Sequence, residues 1–158
     1  MNALRRTSRG FTLVEVILAM ALMALLMVAA ALAMEAAHDS HAYNAEKTDL
    51  VLRTRDVLDR IARDVRVAKS FQVPDSRTLD VTLSDDIVHT YAWDGTDGGN
   101  LIYTVTDGLA ISAQVLTVQV HAFTVSENSP TCSASLVLEG DLARSEASLT
   151  ATPRRSVF

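Results

Sequence analysis

The spacing of apolar and polar residues divides the chain into three patterns. From Val16 to Met34 every residue is apolar, with no charge, Pro or Gly. A run of ~20 such residues is long enough to cross a bilayer core as a helix, and the polar stripe of a soluble helix is missing. Phe11 to about Ala37 is therefore expected to be a membrane-spanning helical segment. From Glu46 to Phe71 the pattern changes. Leu50, Thr54, Val57, Leu58, Ile61, Val65 and Ala68 recur at three- and four-residue steps, which marks one buried helical stripe. Arg53, Arg55, Asp56, Asp59, Arg60, Arg63, Asp64 and Arg66 fill the other faces and read as a solvated surface. Within it, Asp56–Arg60 and Asp59–Arg63 are acid-then-base pairs four apart, each worth ~0.2–0.5 kcal/mol on a helix.

The link from His38 to Asn44 is polar but holds no Pro or Gly. A single helix from Phe11 to Ser70 is therefore expected, roughly 90 Å long at the α-helical rise. Residues 38–73 form its amphipathic half, and Pro74-Asp75-Ser76 ends it. After that the period drops to two. Strands are expected over 78–83 (TLDVTL), 87–93 (IVHTYAW), 101–106 (LIYTVT), 115–125 (VLTVQVHAFTV), 133–139 and 147–152. Asp85-Asp86, the 94–100 stretch DGTDGGN, Asp107-Gly108, a 126–131 loop around Pro130 and a 140–144 loop separate them. The fold class is α+β: a lollipop with a long helical stem and a β-rich head of five or six antiparallel strands over 74–158.

Charge orients the span. Arg5, Arg6 and Arg9 precede it, and no Lys or Arg follows until Lys47. Cationic flanks stay on the cytoplasmic side, so the N-terminus is placed inside and the head in the periplasm or outside the cell. A secretory signal would be cut at small residues after its apolar core. Ala29, Ala30 and Ala31 satisfy that requirement, whereas Gly10 lies before the core. Glu15 interrupts the span near its start. An ionised acid at the centre of a span costs ~2.5–3.5 kcal/mol, less near the end, and is usually paired or functional. A plain signal anchor, with Glu15 snorkelling to the interface, is the alternative reading.

Gly10-Phe11-Thr12-Leu13-Val14-Glu15, with its basic leader 1–10 and long apolar continuation, resembles the processing motif of type IV prepilins and type II secretion pseudopilins. The resemblance implies cleavage after Gly10 by a membrane prepilin peptidase and N-methylation of Phe11. It also implies retention of the apolar segment and pairing of Glu15 with the N-terminal amine of a neighbouring subunit. A buried carboxylate requires a cation, and cutting frees one nearby. Major pilins carry a Pro that kinks the stem; none stands here, which favours a minor subunit. The stretch DRIARDVRVAKS (59–70), followed by IVHTYAWDG and NLIYTV, is similar to J-type minor pseudopilins and related minor pilins. The Arg that often closes the second hairpin strand is replaced by Thr104.

The formal charge is −5, from 14 basic and 19 acidic side chains. Losing Arg5, Arg6 and Arg9 with the leader leaves 11 basic against the same 19 acidic groups, a net of −8. An acidic balance disfavours binding to a phosphate backbone, so no nucleic acid partner is expected. Cys132 is the one cysteine, which excludes an intramolecular disulfide. It is either a buried small hydrophobe, the preferred expectation, or an exposed thiol.

Catalytic motifs are absent: no G-x-S-x-G, no H-E-x-x-H and no Gly-rich phosphate loop. His38 and His41 lack a third ligand and are expected in a solvated linker. His89 and His121 are expected at surface or cross-strand positions. Asp94, Asp97 and Asn100 do not follow the alternation of a calcium loop, so DGTDGGN reads as a hairpin turn. Tyr91, Trp93 and Tyr103 read as core or cross-strand residues. Neither enzymatic activity, a cofactor nor a metal is expected.

The function implied is a structural minor pilin or pseudopilin. Its partners would be the prepilin peptidase, other pilin-like subunits, an inner-membrane assembly platform and lipid. Small residues Ala19, Ala21, Ala24, Ala29 and Ala30 would allow close helix approach. The rival is a membrane-anchored extracytoplasmic binding protein with no filament. A minor pilin for DNA uptake is a third reading, disfavoured by the acidic balance.

Overall fold

A computed structural model describes residues 11–154. One helix, α1 (Leu13–Val67), is followed by seven strands: β1 (Ser70–Asp75), β2 (Thr78–Thr82), β3 (Val88–Trp93), β4 (Gly99–Asp107), β5 (Ala110–Asn128), β6 (Thr131–Glu139) and β7 (Arg144–Ala151). The strands form one antiparallel sheet in sequence order, a seven-stranded meander. The class is therefore α+β, with one strand more than the upper sequence expectation. The chain divides into two compact units, one up to His41 and one from Ala42 onward.

In the first unit, the helix contains no Gly or Pro and is rich in Ala, Leu and Met, the best helix formers. In the second unit, residues 42–67 of α1 bury Leu50, Thr54, Val57, Leu58, Ile61, Ala62 and Val65. These are the residues of the expected stripe as far as Val65, with Ala62 added; Ala68, also buried, lies just past the helix end. They share one core with Leu79, Val81, Tyr91, Leu101, Phe123 and Leu136 on the inner sheet face. A fully buried side chain such as Ile61 contributes about 1.5–3 kcal/mol by leaving water. The polar member of the stripe is satisfied locally: Thr54 Oγ1 donates to the Leu50 carbonyl at 2.7 Å and lies 3.2 Å from Ser145 Oγ.

The helix stops at Val67, earlier than the expected Ser70. The Lys69 amide already donates to the Thr82 carbonyl, 2.8 Å away, so the chain has joined the sheet. The Arg66 carbonyl, one of those left open at a helix end, accepts from the Arg154 amide at 3.1 Å. Pro74 is thus not a helix stop. It lies in the edge strand β1, where the register with β2 shifts between Gln72 and Asp75, and an edge position tolerates a residue without an amide proton.

Strand β5 is longer than its expected 115–125 span. Its first part pairs with β4, from Asp107↔Ala110 to Gly99↔Val120. Its second part pairs with β6, from Val120↔Leu138 to Asn128↔Thr131. The strand changes partners at a bulge where Gln119 takes φ 60° and the register shifts between Val120 and Ala122. The expected 126–131 loop reduces to Ser129 and a cis Pro130. Curling of the sheet brings the first hairpin back onto β5, and the Val125 amide donates to the Ser76 carbonyl at 2.8 Å.

Candidate processing and assembly site

Phe11 is 80 % exposed and lies outside the helix, which begins two residues later. Thr12 is its N-cap. The Thr12 carbonyl accepts from the amides of Glu15 at 3.1 Å and Val16 at 3.2 Å, and Thr12 Oγ1 accepts from Glu15 N–H at 3.3 Å. Thr12-Leu13-Val14-Glu15 has the spacing of a capping box, in which an acid at the third helical position also complements the helix dipole. Glu15 therefore begins the helix as well as interrupting its apolar run, a local role that the T-x-x-E spacing signals. Its side chain is exposed. Gly10 lies outside the described residues.

Every large hydrophobic side chain from Phe11 to Met34 is exposed in the isolated chain. The apolar window has mean hydropathy 2.8 and none of it is buried. Its length and composition suit a membrane span, and an apolar surface of this extent requires lipid or other helices to cover it.

A second cluster lies between α1 and the sheet. Asp64 Oδ2 accepts from the Tyr91 hydroxyl and lies beside His89 Nδ1, both at 2.7 Å. Tyr91 packs on its cross-strand partner Tyr103 with ring centroids 5.1 Å apart, and His89 meets Tyr103 edge-on at 5.3 Å. The Arg60 guanidinium lies 4.0 Å over the Tyr103 ring. Burial first, then the Asp64 carboxylate, hold the Tyr91 hydroxyl protonated far above its ordinary range. His89 is thus a helix-to-sheet contact as well as a cross-strand residue, and Asp64 and Arg60 leave the solvated face assigned to them. Every member has a partner, so the cluster reads as a clamp joining helix and sheet.

The remaining sequence candidates do not converge. Hydrogen bonds from the Thr96 hydroxyl and then from its amide, the latter at 2.9 Å, hold the Asp94 carboxyl below the usual range. Asp97 points instead to His121 at 2.7 Å. The 94–100 stretch is thus a turn, and Gly95 and Gly98 supply its positive φ values of 82° and 72°. Cys132 is fully buried, and burial followed by the nearby Glu127 charge pushes its thiol up to about 11. No group of three or more His, Cys, Asp or Glu able to hold a metal occurs among the described residues.

Residues 5–31 match the family model described as the prokaryotic N-terminal methylation motif. No curated protein and no solved structure matches the chain significantly. The matched segment contains the basic leader, the capped helix start and most of the exposed apolar run. It supports a type IV prepilin-like precursor, and the order of one N-terminal helix followed by an antiparallel sheet fits the pilin-like fold. The motif implies peptidase processing and subunit assembly, and it points to a structural subunit rather than an enzyme. A single apolar helix beside that motif fits single-pass membrane anchoring.

Proposed function

We propose that the chain is a minor pilin or pseudopilin of a type II secretion pseudopilus or type IV pilus-like filament. It is inserted in the cytoplasmic membrane with its N-terminus inside, cut after Gly10, methylated at Phe11, and keeps its apolar helix. The carrying observation is the methylation motif over 5–31 running into a helical segment whose large apolar side chains, as far as Met34, are all exposed. Subunits then leave lipid by packing these helices together on an inner-membrane assembly platform. Van der Waals packing at small residues drives the association, and Ala19, Ala21 and Ala24 supply them. Glu15 sets the register by pairing with the free amine of a neighbour's Phe11, since a desolvated carboxylate needs a cation. The J-type minor pseudopilin is the subtype favoured, through the 59–70 and hairpin likeness and the lack of a stem Pro.

The test is pull-down of the tagged chain from solubilised membranes. Other prepilin-like subunits are expected with it, and Glu15→Gln is expected to weaken that association while leaving membrane insertion unchanged. Recovery of the chain with no such subunit, from cells that express the full set, would refute filament membership and favour the anchored binding protein.

A further inference from the structure

Besides the second part of β5, whose Val125 amide already bonds the Ser76 carbonyl, three strand edges among the described residues lack a neighbour over part or all of their length, and two of them are guarded. β1 carries Pro74 and a register shift, and β7 carries Arg144 and Glu146. Such features normally stop a free edge from pairing with another chain. The third edge is the first part of β5. Between Ala110 and Gln119 this strand pairs with β4 alone among the described residues, because β6 begins to pair only at Val120. No Asp, Glu, Lys, Arg or Pro occurs between Gly108 and Ser126. Ile111 is 73 % exposed and Val115 51 % exposed.

The hairpin fixes which backbone groups are free. The Gly108-Leu109 loop, with Gly108 at φ 56°, closes on Asp107↔Ala110. A two-residue loop makes that closing pair hydrogen-bonded, and the ladder alternates from there. Ala110, Ser112 and Gln114 therefore bond β4, and the amides and carbonyls of Ile111, Ala113 and Val115 point to the open edge.

We propose that this edge is a docking surface for the same edge of a second copy of the chain, forming an antiparallel pair about a two-fold axis at Ala113. The pattern is self-complementary. Ile111 faces the second copy's Val115 as a β-branched pair on one face, and Ser112 faces its Gln114 on the other. Ile111, Ala113 and Val115 each donate and accept one backbone bond across the axis. The neutrality of the strand selects the occupant. In a chain of net charge −5, a segment free of charge is one that can meet its own copy without repulsion. The other edges of a second copy fit less well, since Arg144 and Glu146 find no counter-charge on β5 and Pro74 cannot donate. The contact is isologous, so it closes as a dimer and adds a pairing distinct from helix-to-helix assembly.

The test uses the full-length chain in detergent, in a Cys132→Ser background. Ser112→Cys and Gln114→Cys chains carry different tags and are mixed under mild oxidation. Residues 112 and 114 of opposite copies form a close, non-hydrogen-bonded pair, so the mixture should give a mixed disulfide dimer that neither variant gives alone. Ile111→Lys, at a position with no core contact to lose, should abolish that dimer while leaving the Trp93 fluorescence melt unchanged. Absence of the mixed dimer in protein with a wild-type melt overturns the proposal. So does equal cross-linking of each variant with itself, which indicates non-specific association, or cross-linking to a different subunit in membranes.

Discussion

Removing the Asp64 carboxylate tests whether the clamp holds helix and sheet together. Tyr91 is fully buried, and its hydroxyl donates to Asp64 Oδ2 at 2.7 Å. Asp64→Ala leaves that hydroxyl buried without an acceptor and His89 without its partner. An orphaned buried polar group costs about 1–3 kcal/mol, and a bond to a charged acceptor is worth about 1.5–3 kcal/mol. The Asp64 and His89 side chains retain 18 % and 15 % exposure, so water recovers part of the loss. Asp64→Ala should therefore cost about 2–4 kcal/mol and Tyr91→Phe about 1.5–3 kcal/mol. In the double variant no hydroxyl remains to be orphaned, so the combined cost should fall short of the sum by about 1–2 kcal/mol. The assay is urea unfolding of the full chain in detergent, followed by fluorescence of Trp93, the one tryptophan, which reports on the sheet and not on the apolar helix. Additive costs, or an Asp64→Ala variant as stable as the parent, would refute the clamp.

Three further outcomes follow from the same geometry. The Tyr91 proton is held more tightly in the folded than in the unfolded chain, whose phenol titrates near 10.0. Its contribution is unchanged below that pH and is lost as pH rises above it, because the unfolded chain then binds fewer protons. Tyr91→Phe should flatten this alkaline loss in a pH series of melts, and an unchanged slope would contradict it. Cys132, fully buried with its thiol raised to about 11, should resist thiol reagents in the folded protein and react on unfolding; rapid native labelling would contradict that burial. Glu46 accepts from the Leu142 amide through both carboxylate oxygens at 3.2 Å. Glu46→Ala should speed hydrogen exchange at Leu142 with little change in global stability.

Where the chain has one buried side and one wet side, the sequence was readable. The Leu50 to Ala68 stripe and the alternation of Leu79 and Val81 give helix and strand without ambiguity, because burial repeats at the period of the element. The methylation motif was likewise local, six adjacent residues and a run. The missed elements lack that contrast. The first part of β5 is exposed on both faces, so Ala110-Ile111-Ser112-Ala113-Gln114 shows no inside or outside. β1 holds a Pro that an edge strand accepts and a sequence pattern reads as a stop. Asp64 looked like one more charge in a solvated run. What distinguishes it from Asp56 or Asp59 is the placement of His89 and Tyr91 on β3, a tertiary fact that no spacing along α1 encodes.

Filament membership depends most on what happens at the junction of leader and helix. Mass spectrometry of the chain purified from the membrane fraction tests it directly. The expected result is a mature N-terminus at methylated Phe11 with the apolar helix intact. A soluble product beginning after Ala29, Ala30 or Ala31, or a membrane form that still starts at Met1 in cells with an active prepilin peptidase, would contradict it.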